Sequence, residues 1–542
     1  MDKVVIIGSG AAGLSAAIRL AEEKVPCILI AEMPAERAQS NMAEGGINAA
    51  LNTMGQDDRP ELHEAETYKA GRFLACRKAV HRLTQGAPEI VRRLYDWGMS
   101  LNLTDDGQIA LRPFGGQTKK RTAFAAASTG KQLMYTLATK AREYEASGMI
   151  ESRTGFRFLK LVEDDGTALG VLLVDVNANR ISYVPASGVI LASGGMNGLF
   201  GNATGSVLNK GNVTASLFSA GLPLANLEMI QYHPTTTKLY GKNMLITEAV
   251  RGEGGRLYVE QNGERVYFME IKYPELGNLM PRDVVAREEW FWIKQGVQPY
   301  LDMRDIPVEV STRKLAGVLE ACHDFLSLDP LQEPIPVSPG IHYFMGGIWV
   351  DVNHRTCIRN LFAAGEAACQ YHGANRLGAN SLLGAMFGGQ VAATSAMEDL
   401  RKRPPGFRPS EEWAETAYWL NDRKPGLNVP AARKTLNLLL QRSLGMERNE
   451  ADLQQGLRDV QELETRTADL YDPQAPIDEN VLFPASLRLA EAFLHSALER
   501  KESRGAHTRT DYPGEREEYR KTTMASFQNN SIHISFETIE GD

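Results

Sequence analysis

The feature that most constrains the fold is a glycine-rich turn that follows a short apolar run near the start of the chain. Residues 4–7 (VVII) are all apolar, as in a parallel strand buried on both faces. Gly8, Gly10 and Gly13 follow in G-x-G-x-x-G spacing, and a helical stretch, LSAAIRLAEE, comes next. A second apolar run, CILI, leads to Glu32, which occupies the usual place of a ribose-binding carboxylate. This order predicts a βαβ unit that holds the pyrophosphate of a dinucleotide at a helix N-terminus, without separating FAD from NAD.

Length and composition narrow the class of protein. A chain of 542 residues is expected to form two or three domains. A hydrophobic content of 43% and a charged content of 23% are typical of a soluble globular protein. The net charge of −8 gives no support to nucleic-acid binding.

The cysteines and the hydropathy pattern bear on metals and on location. The five cysteines form no C-x-x-C pair, so we expect no metal site, no iron–sulfur cluster and no disulfide framework in this chain. We find no run of about 18 apolar residues, and the N-terminus enters a strand pattern without a basic leader. The sequence therefore predicts a cytoplasmic protein without a direct membrane span, membrane-peripheral only through a partner.

The rest of the chain is organised around an insertion. Apolar runs followed by glycines recur in 184–198 (VPASGVILASGGMNG) and 360–368 (NLFAAGEAA), which indicates one nucleotide-binding domain interrupted by another unit. Residues from about 226 to 346 lack βαβ rhythm and form the predicted insertion. RKRPPGFRPSEEW (401–413) has the composition of a linker, helical periodicity follows to about residue 505, and the C-terminal tail alternates like an edge strand.

Five motifs then occur in an order that resembles a known family. They are QYHPT (231–235), ITEAVRGEGG (246–255), PRDVVAR (281–287), GIHYFMGGI (340–348) and HGANRLGANSLL (372–383). Together they resemble the flavoprotein subunit of succinate dehydrogenases and fumarate reductases, a superfamily that includes L-aspartate oxidases. The resemblance covers roughly residues 1–400 and returns at 499–513.

The resemblance implies an α/β fold with FAD as the cofactor. A Rossmann-like FAD-binding domain would comprise residues 1–225 and 347–400. An inserted α+β capping domain would comprise 226–346, and a C-terminal helical domain with its tail would comprise 401–542.

The resemblance also implies a site for a C4 dicarboxylate such as fumarate or succinate. His233 and Thr247 would bind one carboxylate, and His342 and Arg376 would bind the other. A dianion that leaves water needs several donors, and a guanidinium can hold a carboxylate through two parallel hydrogen bonds. Holding both ends fixes the middle carbons against the flavin ring.

In the reductive direction, the resemblance implies hydride transfer from flavin N5 to one alkene carbon and proton transfer from Arg282 to the other. Glu248 and Arg251 would form the relay that returns the proton to Arg282. Their spacing of three residues puts them on one face of a helix. Outside this motif context, the same pair would be read as a surface ion pair worth about 0–1 kcal/mol.

The residues that the resemblance assigns to FAD surround the glycine-rich turn and the later glycine motifs. They are Gly8, Ser9, Gly10, Ala11, Ala12, Gly13, Glu32, Ser40, Gly45, Gly46, Asn212, Glu366, Ser381 and Leu382. Asn212 stands where the family usually has aspartate, which weakens one expected contact.

Departures from the family pattern inform the chemistry. Gln39 stands where respiratory members carry the histidine that is bonded to FAD, so we expect non-covalent FAD and a preference for alkene reduction. Phe114 stands where aspartate oxidases carry a glutamate, so a buried substrate ammonium would lack a carboxylate partner. The stretch 235–244 is about two residues longer than usual, which keeps another α,β-unsaturated acid open as the substrate.

Three functions therefore remain at this point. The first is a fumarate reductase or succinate dehydrogenase-type flavoprotein that exchanges electrons with a separate iron–sulfur subunit, a carrier or free flavin. The second is L-aspartate oxidase, and the third is a non-catalytic flavin-binding assembly subunit.

Overall fold

The structure is a computed structural model that describes residues 3–126, 128–239, 242–400 and 423–539. The predicted linker, 401–413, and residues 240–241 of the lengthened stretch lie outside the described residues.

The strands of the described residues range from two to ten residues in length. In chain order they are β1 Val4–Ile7, β2 Cys27–Ala31, β3 Ile47–Asn48, β4 Leu111–Arg112, β5 Thr122–Ala123, β6 Ile150–Thr154, β7 Phe156–Asp164, β8 Thr167–Asp175, β9 Arg180–Pro185, β10 Gly188–Leu191, β11 Leu224–Ala225, β12 Ile230–Leu239, β13 Lys242–Leu245, β14 Arg256–Gln261, β15 Glu264–Val266, β16 Pro299–Asp302, β17 Ile335–Pro336, β18 Ser338–Phe344, β19 Gly347–Trp349, β20 Leu361–Ala363, β21 Ala368–Cys369, β22 Lys424–Pro425, β23 Leu470–Tyr471, β24 Thr522–Gln528 and β25 Ser531–Glu537.

The longest helices lie in the second half of the chain. In order the helices are α1 Ala11–Glu22, α2 Pro60–Ala70, α3 Arg77–Asp96, α4 Thr129–Ala146, α5 Asn197–Phe200, α6 Asn212–Ser219, α7 Ala249–Gly252, α8 Phe268–Lys272, α9 Arg282–Ile293, α10 Val308–Lys314, α11 Ala316–Leu326, α12 Asn380–Leu400, α13 Val429–Ser443, α14 Glu450–Thr467 and α15 Ile477–Glu499.

A parallel sheet of order β20-β10-β1-β2-β6 forms the centre of the nucleotide-binding part. Strand β1 pairs with β2 and β10, with Val4 beside Cys27 on one side and beside Gly188 on the other. All four residues of β1 are buried, since Val4 and Ile6 pack with helices α1 and α12 on one face and Val5 and Ile7 pack with β7 and β8 on the other. The strands predicted around residues 4–7 and 27–30 are confirmed.

Helices α1 and α12 pack closely against each other beside this sheet. A Cβ on Gly389 of α12 would overlap the carbonyl oxygen of Ala12 in α1. The glycine therefore allows an approach that a larger residue would prevent. This contact brings the start of α12, with Ser381 and Leu382, close to the glycine-rich turn.

The segment between β12 and β18 contains an apolar cluster of its own. The cluster is formed by residues from Ile246 to Val337, and it includes residues of the four-stranded sheet β15-β14-β16-β17. Strands β12 and β18 pair antiparallel and carry the chain into and out of this segment. The domain limits given above stay predictions.

Three helices and a hairpin form the C-terminal part of the described chain. Helices α13, α14 and α15 contribute to the same apolar cluster as the central sheet. The β24–β25 hairpin extends the sheet that contains β11 and β19, and β25 is its edge strand. By length and composition α15 could cross a membrane, but 72% of the tested window is buried in the protein, as in the core helix of a soluble protein.

Candidate active site

A cavity of about 1010 Å³ opens at the carboxyl ends of the central strands. Gly8, Glu32, Ala192 and Ala364, which directly follow β1, β2, β10 and β20, all line it. The carboxyl edge of a parallel sheet is the usual place of a ligand site in such folds. The cavity continues to β12, β13 and β18, so it joins the nucleotide-binding part to the inserted segment.

Most residues predicted for the site line this one cavity. They are Gly8, Ser9, Gly10, Ala11, Ala12, Glu32, Ser40, Gly45, Gly46, Phe114, Asn212, His233, Thr247, Glu248, Arg282, His342, Glu366, Arg376, Ser381 and Leu382, together with Gln39. Gly13 and Arg251 are not among the lining residues.

The glycine-rich turn has two separate requirements for glycine. A Cβ on Gly13 would overlap the carbonyl oxygen of Gly8, so Gly13 is needed for the turn to pack. A Cβ on Gly10 would lie 3.3 Å from Ser40 Oγ and would project into the cavity wall. The absence of a side chain at Gly10 therefore leaves room for a pyrophosphate beside the N-terminus of α1.

A second glycine pair is held in place by an arginine that the sequence analysis missed. Arg112 is buried, and its guanidinium donates hydrogen bonds to the carbonyl oxygens of Glu44 (2.9 Å) and Gly45. The ring of Phe114 fills the space beside Gly45, where a Cβ would come within 2.9 Å of it. This packing fixes the Gly45–Gly46 backbone against the cavity.

Other predicted cofactor residues are held by specific partners. Ala11 donates its backbone N–H to Ser40 Oγ (3.1 Å), and Arg157 donates to Glu32 (2.7 Å). The carboxyl of Glu366 accepts from the backbone N–H of Phe344 (3.1 Å), and burial raises its pKa to about 7. A cavity of this size, with a glycine turn at one end and a carboxylate after β2, fits FAD.

Arg282, Glu248 and Arg251 form one buried ionic chain. Arg282 Nε donates to Glu248 Oε2 at 2.8 Å, and Arg251 Nη2 lies 3.2 Å from Glu248 Oε1. Glu248 Oε1 also accepts from the backbone N–H of Gly115 (2.9 Å). The structure thus brings together the three residues that the sequence placed in a relay.

The ionic chain keeps Glu248 charged. Burial alone would raise the pKa of Glu248, but the positive charges of Arg282 and Arg251 outweigh it and lower the pKa below its usual range. The ionised carboxylate of Glu248 can hold the guanidinium of Arg282 in a fixed orientation.

The two predicted histidines lie next to each other. The ring centroids of His233 and His342 are 5.0 Å apart. Burial, followed by the charge of Arg282, lowers the pKa of both far below the usual value, so both rings are neutral at pH 7. Thr204 Oγ1 lies 2.8 Å from His342 Nδ1, and the hydrogen bond between them orients the His342 ring.

Arg376 is a buried cation with unused hydrogen-bonding capacity. It is 2% exposed, its Nε has no hydrogen-bond partner, and no described carboxylate forms an ion pair with it. Its guanidinium lies over the ring of Tyr343, 4.4 Å from the centroid. Burial and the charge of Arg282 lower the pKa of Arg376 to about 9.

Gln231 connects the two arginines, and the sequence analysis gave it no role. Its Oε1 accepts from Arg282 Nη1 (3.2 Å), and its Nε2 donates to Asn375 Oδ1 (3.0 Å) and to the carbonyl oxygen of Arg376 (2.9 Å). The sequence offered a signal for this role, because Gln231 lies two residues before His233 in the QYHPT motif.

Among the described residues, no group of three or more His, Cys, Asp or Glu side chains is placed to hold a metal ion.

Families and relatives among known proteins match most of this chain. The FAD binding domain family matches residues 3–382, and the fumarate reductase flavoprotein C-terminal family matches residues 433–541. The succinate dehydrogenase flavoprotein subunit of Bacillus subtilis is 35% identical, over 97% of this chain and 94% of its own length. The fumarate reductase flavoprotein subunit of Mycobacterium tuberculosis is 32% identical, over 95% and 93%. A solved quinol-fumarate reductase with menaquinol molecules has a TM-score of 0.92 and 29% identity, over 100% and 98%.

The protein is thus an FAD-dependent oxidoreductase that acts on a CH–CH bond. More particularly, the chain belongs to the succinate dehydrogenase/fumarate reductase flavoprotein family. The predicted family and the predicted α/β fold with a C-terminal helical part are confirmed.

Proposed function

We propose that this protein reduces fumarate, or a close structural relative of it, with non-covalent FAD as its cofactor. The observation that carries the proposal is Arg376, a buried guanidinium without a carboxylate partner that faces the same cavity as Arg282. A buried charge is costly unless it is paired, so this arrangement favours an anionic ligand as the missing partner.

The charges beside His233 and His342 favour a dianion. Arg282, Arg251 and Arg376 carry three positive charges, Glu248 carries one negative charge, and His233 and His342 are neutral. The neutral histidines can donate hydrogen bonds to carboxylates without adding charge, and Thr247 lines the cavity beside them. Two carboxylates would nearly balance the two excess positive charges.

Arg282 is the proposed proton donor. FAD, when bound, supplies the hydride for the double bond. Arg282 then gives a proton to the other carbon, and Glu248 passes a proton from Arg251 to restore it. The pKa of arginine, above about 12 in water, is tolerable here because a developing carbanion is strongly basic. The fixed contacts of Arg282 with Glu248 and Gln231 hold its free N–H groups in one direction.

Gln39 supports the proposal that FAD is bound without a covalent link. Its amide cannot form the bond that the family histidine makes, and its Oε1 accepts a hydrogen bond from the backbone N–H of Ser206 (2.6 Å). We expect acid precipitation to release all of the yellow colour into the supernatant. Colour retained in the washed pellet would contradict this part of the proposal.

The central experiment follows reoxidation of the reduced protein. The purified enzyme is reduced with dithionite and a viologen, and fumarate is added without oxygen. We expect rapid reoxidation by the wild type and loss of at least about 10²-fold in rate for Arg282→Ala, the scale of a general acid. Arg287→Ala is the matched control, because Arg287 lies on the same helix but pairs with Asp283 near the surface. Equal rates for Arg282→Ala and the control would remove Arg282 from the acid role.

A second candidate is the reduction of another α,β-unsaturated acid. Asn243 lies in the lengthened stretch, is 6% exposed and lines the cavity, and its Oδ1 has no hydrogen-bond partner. Such an acceptor suits a ligand with a hydroxyl or amide N–H group. A panel of unsaturated diacids, hydroxy acids and half-amides would decide, since a higher kcat/KM than for fumarate would favour this candidate.

L-Aspartate oxidase is disfavoured by the surroundings of Phe114. The ring is 1% exposed and packs between Gly45 and Gly378, where a carboxylate would be needed for an ammonium. Incubation of the oxidised protein with aspartate should leave the flavin spectrum unchanged.

We further propose that the protein is cytoplasmic and that a separate iron–sulfur subunit supplies electrons at the membrane surface.

A further inference from the structure

One wall of the cavity comes from the C-terminal part of the chain. Glu479 lies near the start of α15 and lines the same cavity as Gly8 and Glu32. It falls within residues 433–541, which the C-terminal family matches, and outside residues 3–382, which the FAD binding domain family matches. The cavity that is expected to hold FAD therefore includes a residue from outside the predicted FAD-binding domain.

The contacts of α15 place Glu479 at the adenosine end of this cavity. Glu32 directly follows β2, where the carboxylate that binds the ribose of a dinucleotide is expected. Arg157 donates hydrogen bonds to Glu32 (2.7 Å) and to Asp478 (3.4 Å). Asp478 directly precedes Glu479, so one guanidinium joins the expected ribose-binding carboxylate to the first turn of α15. Glu479 is therefore close to the nucleoside half of the FAD site.

Two cations hold the carboxylate of Glu479 in the cavity wall. Lys210 donates a hydrogen bond to Oε1, and Arg433 Nε donates one to Oε2 at 2.7 Å. The Glu479 side chain is only 8% exposed. Burial raises its pKa, but the charges of Arg433 and Lys210 outweigh burial and lower the pKa below its usual value. A carboxylate has about four acceptor sites, so Glu479 can accept further hydrogen bonds from a ligand.

The other groups at this end of the cavity suit an uncharged nucleoside. Asn212 lines the cavity, but its Oδ1 already accepts from Arg433 Nη2 at 3.4 Å and carries no charge. Ion pairs join three cations to three carboxyl groups here: Arg157, Lys210 and Arg433 to Glu32, Asp478 and Glu479. No positive charge is left over for an additional phosphate, whereas the donors of a neutral adenosine can use the remaining acceptor sites.

We infer that Glu479 is an FAD-binding residue whose carboxylate accepts a hydrogen bond from adenosine, from either a ribose hydroxyl or the adenine amino group. Both are donors that a carboxylate accepts through a charge-assisted hydrogen bond. The C-terminal helical part then takes part in holding the cofactor, with Glu479 in contact with it and Arg433 orienting Glu479. This inference goes beyond the proposed function, because it concerns how FAD is held and not which acid is reduced.

The first measurement follows the release of FAD from the purified holoenzyme on dilution, by the recovery of flavin fluorescence. The forms compared are wild type, Glu479→Gln, Glu479→Asp and Glu491→Gln. We expect Glu479→Gln to release FAD about tenfold faster, the scale of one hydrogen bond to a charged group, and Glu479→Asp to recover part of the loss. Glu491→Gln is the matched control and should behave as the wild type, because Glu491 is a buried glutamate of the same helix that is not among the lining residues.

The second measurement separates a contact with adenosine from a purely structural role. Each holoenzyme is equilibrated with FAD and an analogue that lacks the 2′-hydroxyl, the 3′-hydroxyl or the adenine amino group, and the bound flavins are quantified. We expect the wild type to prefer FAD over one analogue by about tenfold and Glu479→Gln to lose that preference. Glu479→Asp gives the same comparison should Glu479→Gln retain no FAD.

Two results would overturn the inference. One is a wild type that shows no preference for FAD over any of the analogues. The other is a Glu479→Gln enzyme that keeps the full preference or releases FAD at the wild-type rate. Neither measurement involves fumarate, so a protein that leaves fumarate unreduced would overturn the proposed function and leave this inference standing.

Discussion

Arg376 differs from Arg121 and Arg500, two other buried cations of this molecule. Arg121 pairs with Asp58 and Glu66, both at 2.9 Å, and Arg500 pairs with Glu228 at 2.6 Å. Each of these guanidiniums is neutralised by the fold itself. The guanidinium of Arg376 lies over the ring of Tyr343, and its Nε is unpaired. Its desolvation therefore destabilises the folded protein until an anion binds. The unpaired Nε of Arg376 is therefore available to a ligand, whereas Arg121 and Arg500 stabilise the fold.

Substitutions of these two classes of arginine should therefore have opposite effects. We expect Arg376→Gln to weaken dicarboxylate binding by about 2–5 kcal/mol while leaving the free energy of unfolding unchanged or slightly higher. Arg121→Gln should cost roughly 3–5 kcal/mol of stability, because it leaves Asp58 and Glu66 buried without a cation, and should leave affinity nearly unchanged. Titration of the oxidised flavin with malonate and urea unfolding measure the two quantities. A large loss of stability in Arg376→Gln would show that the guanidinium has a structural partner after all.

At the scale of elements, local patterns were readable from the sequence and long-range contacts were not. Strands β1 and β2, the glycine turn and the Glu248–Arg251 spacing follow from short stretches with a clear period or motif. Arg112 contacts Gly45 across 67 residues, so no local pattern reveals its role. Glu289, on α9, is fully buried. Its burial could not be predicted from the sequence, because a charged residue on a helix is normally expected to face solvent. Its burial depends on how α9 packs in three dimensions.

The glycine turn between β1 and α1 gives a prediction at this scale. Gly13→Ala should destabilise the fold by roughly 1–3 kcal/mol or more, because the new Cβ meets the backbone of Gly8. Gly10→Val should leave the fold intact but abolish FAD retention, since its side chain enters the cavity wall where the pyrophosphate is expected. Flavin absorbance per protein and thermal unfolding separate the two effects. Gly445→Ala is the control, as its Cβ would meet its neighbours at ordinary distances of 3.4 Å or more. A Gly10→Val protein that retains FAD would move the cofactor away from this turn.

Over the whole molecule, buried histidines and buried glutamates have opposite effects on how the free energy of unfolding changes with pH. Among the described residues, burial lowers the pKa of seven histidines: to about 3 for His63 and His372, to about 4 for His354, far below the usual value for His233, His342 and His507, and below the usual value for His495. Among the described residues, burial raises the pKa of four glutamates, to about 7 for Glu44, Glu366 and Glu491 and well above the usual value for Glu289. On acidification below about pH 6.5 the unfolded state gains protons at the histidines, whereas the folded state gains them at the glutamates. The two sets partly cancel, so acid stability depends on a balance between them.

Two substitutions outside the cavity should shift this balance in opposite directions. His354 is neutral in the fold, so its contribution is fully present above about pH 6.5 and is lost as the pH falls towards about 4, by up to roughly 3 kcal/mol. His354→Gln should therefore lose less stability than the wild type between about pH 7 and about pH 5.

Glu491 binds a proton more tightly in the folded state than in the unfolded state, so its contribution to stability is present below about pH 4.3 and is lost as the pH rises towards about 7. Glu491→Gln should accordingly lose more stability than the wild type over the same acidification. Urea unfolding of the three proteins at both pH values measures these differences, and parallel losses in all three would mean that neither group changes its protonation on folding as its burial requires.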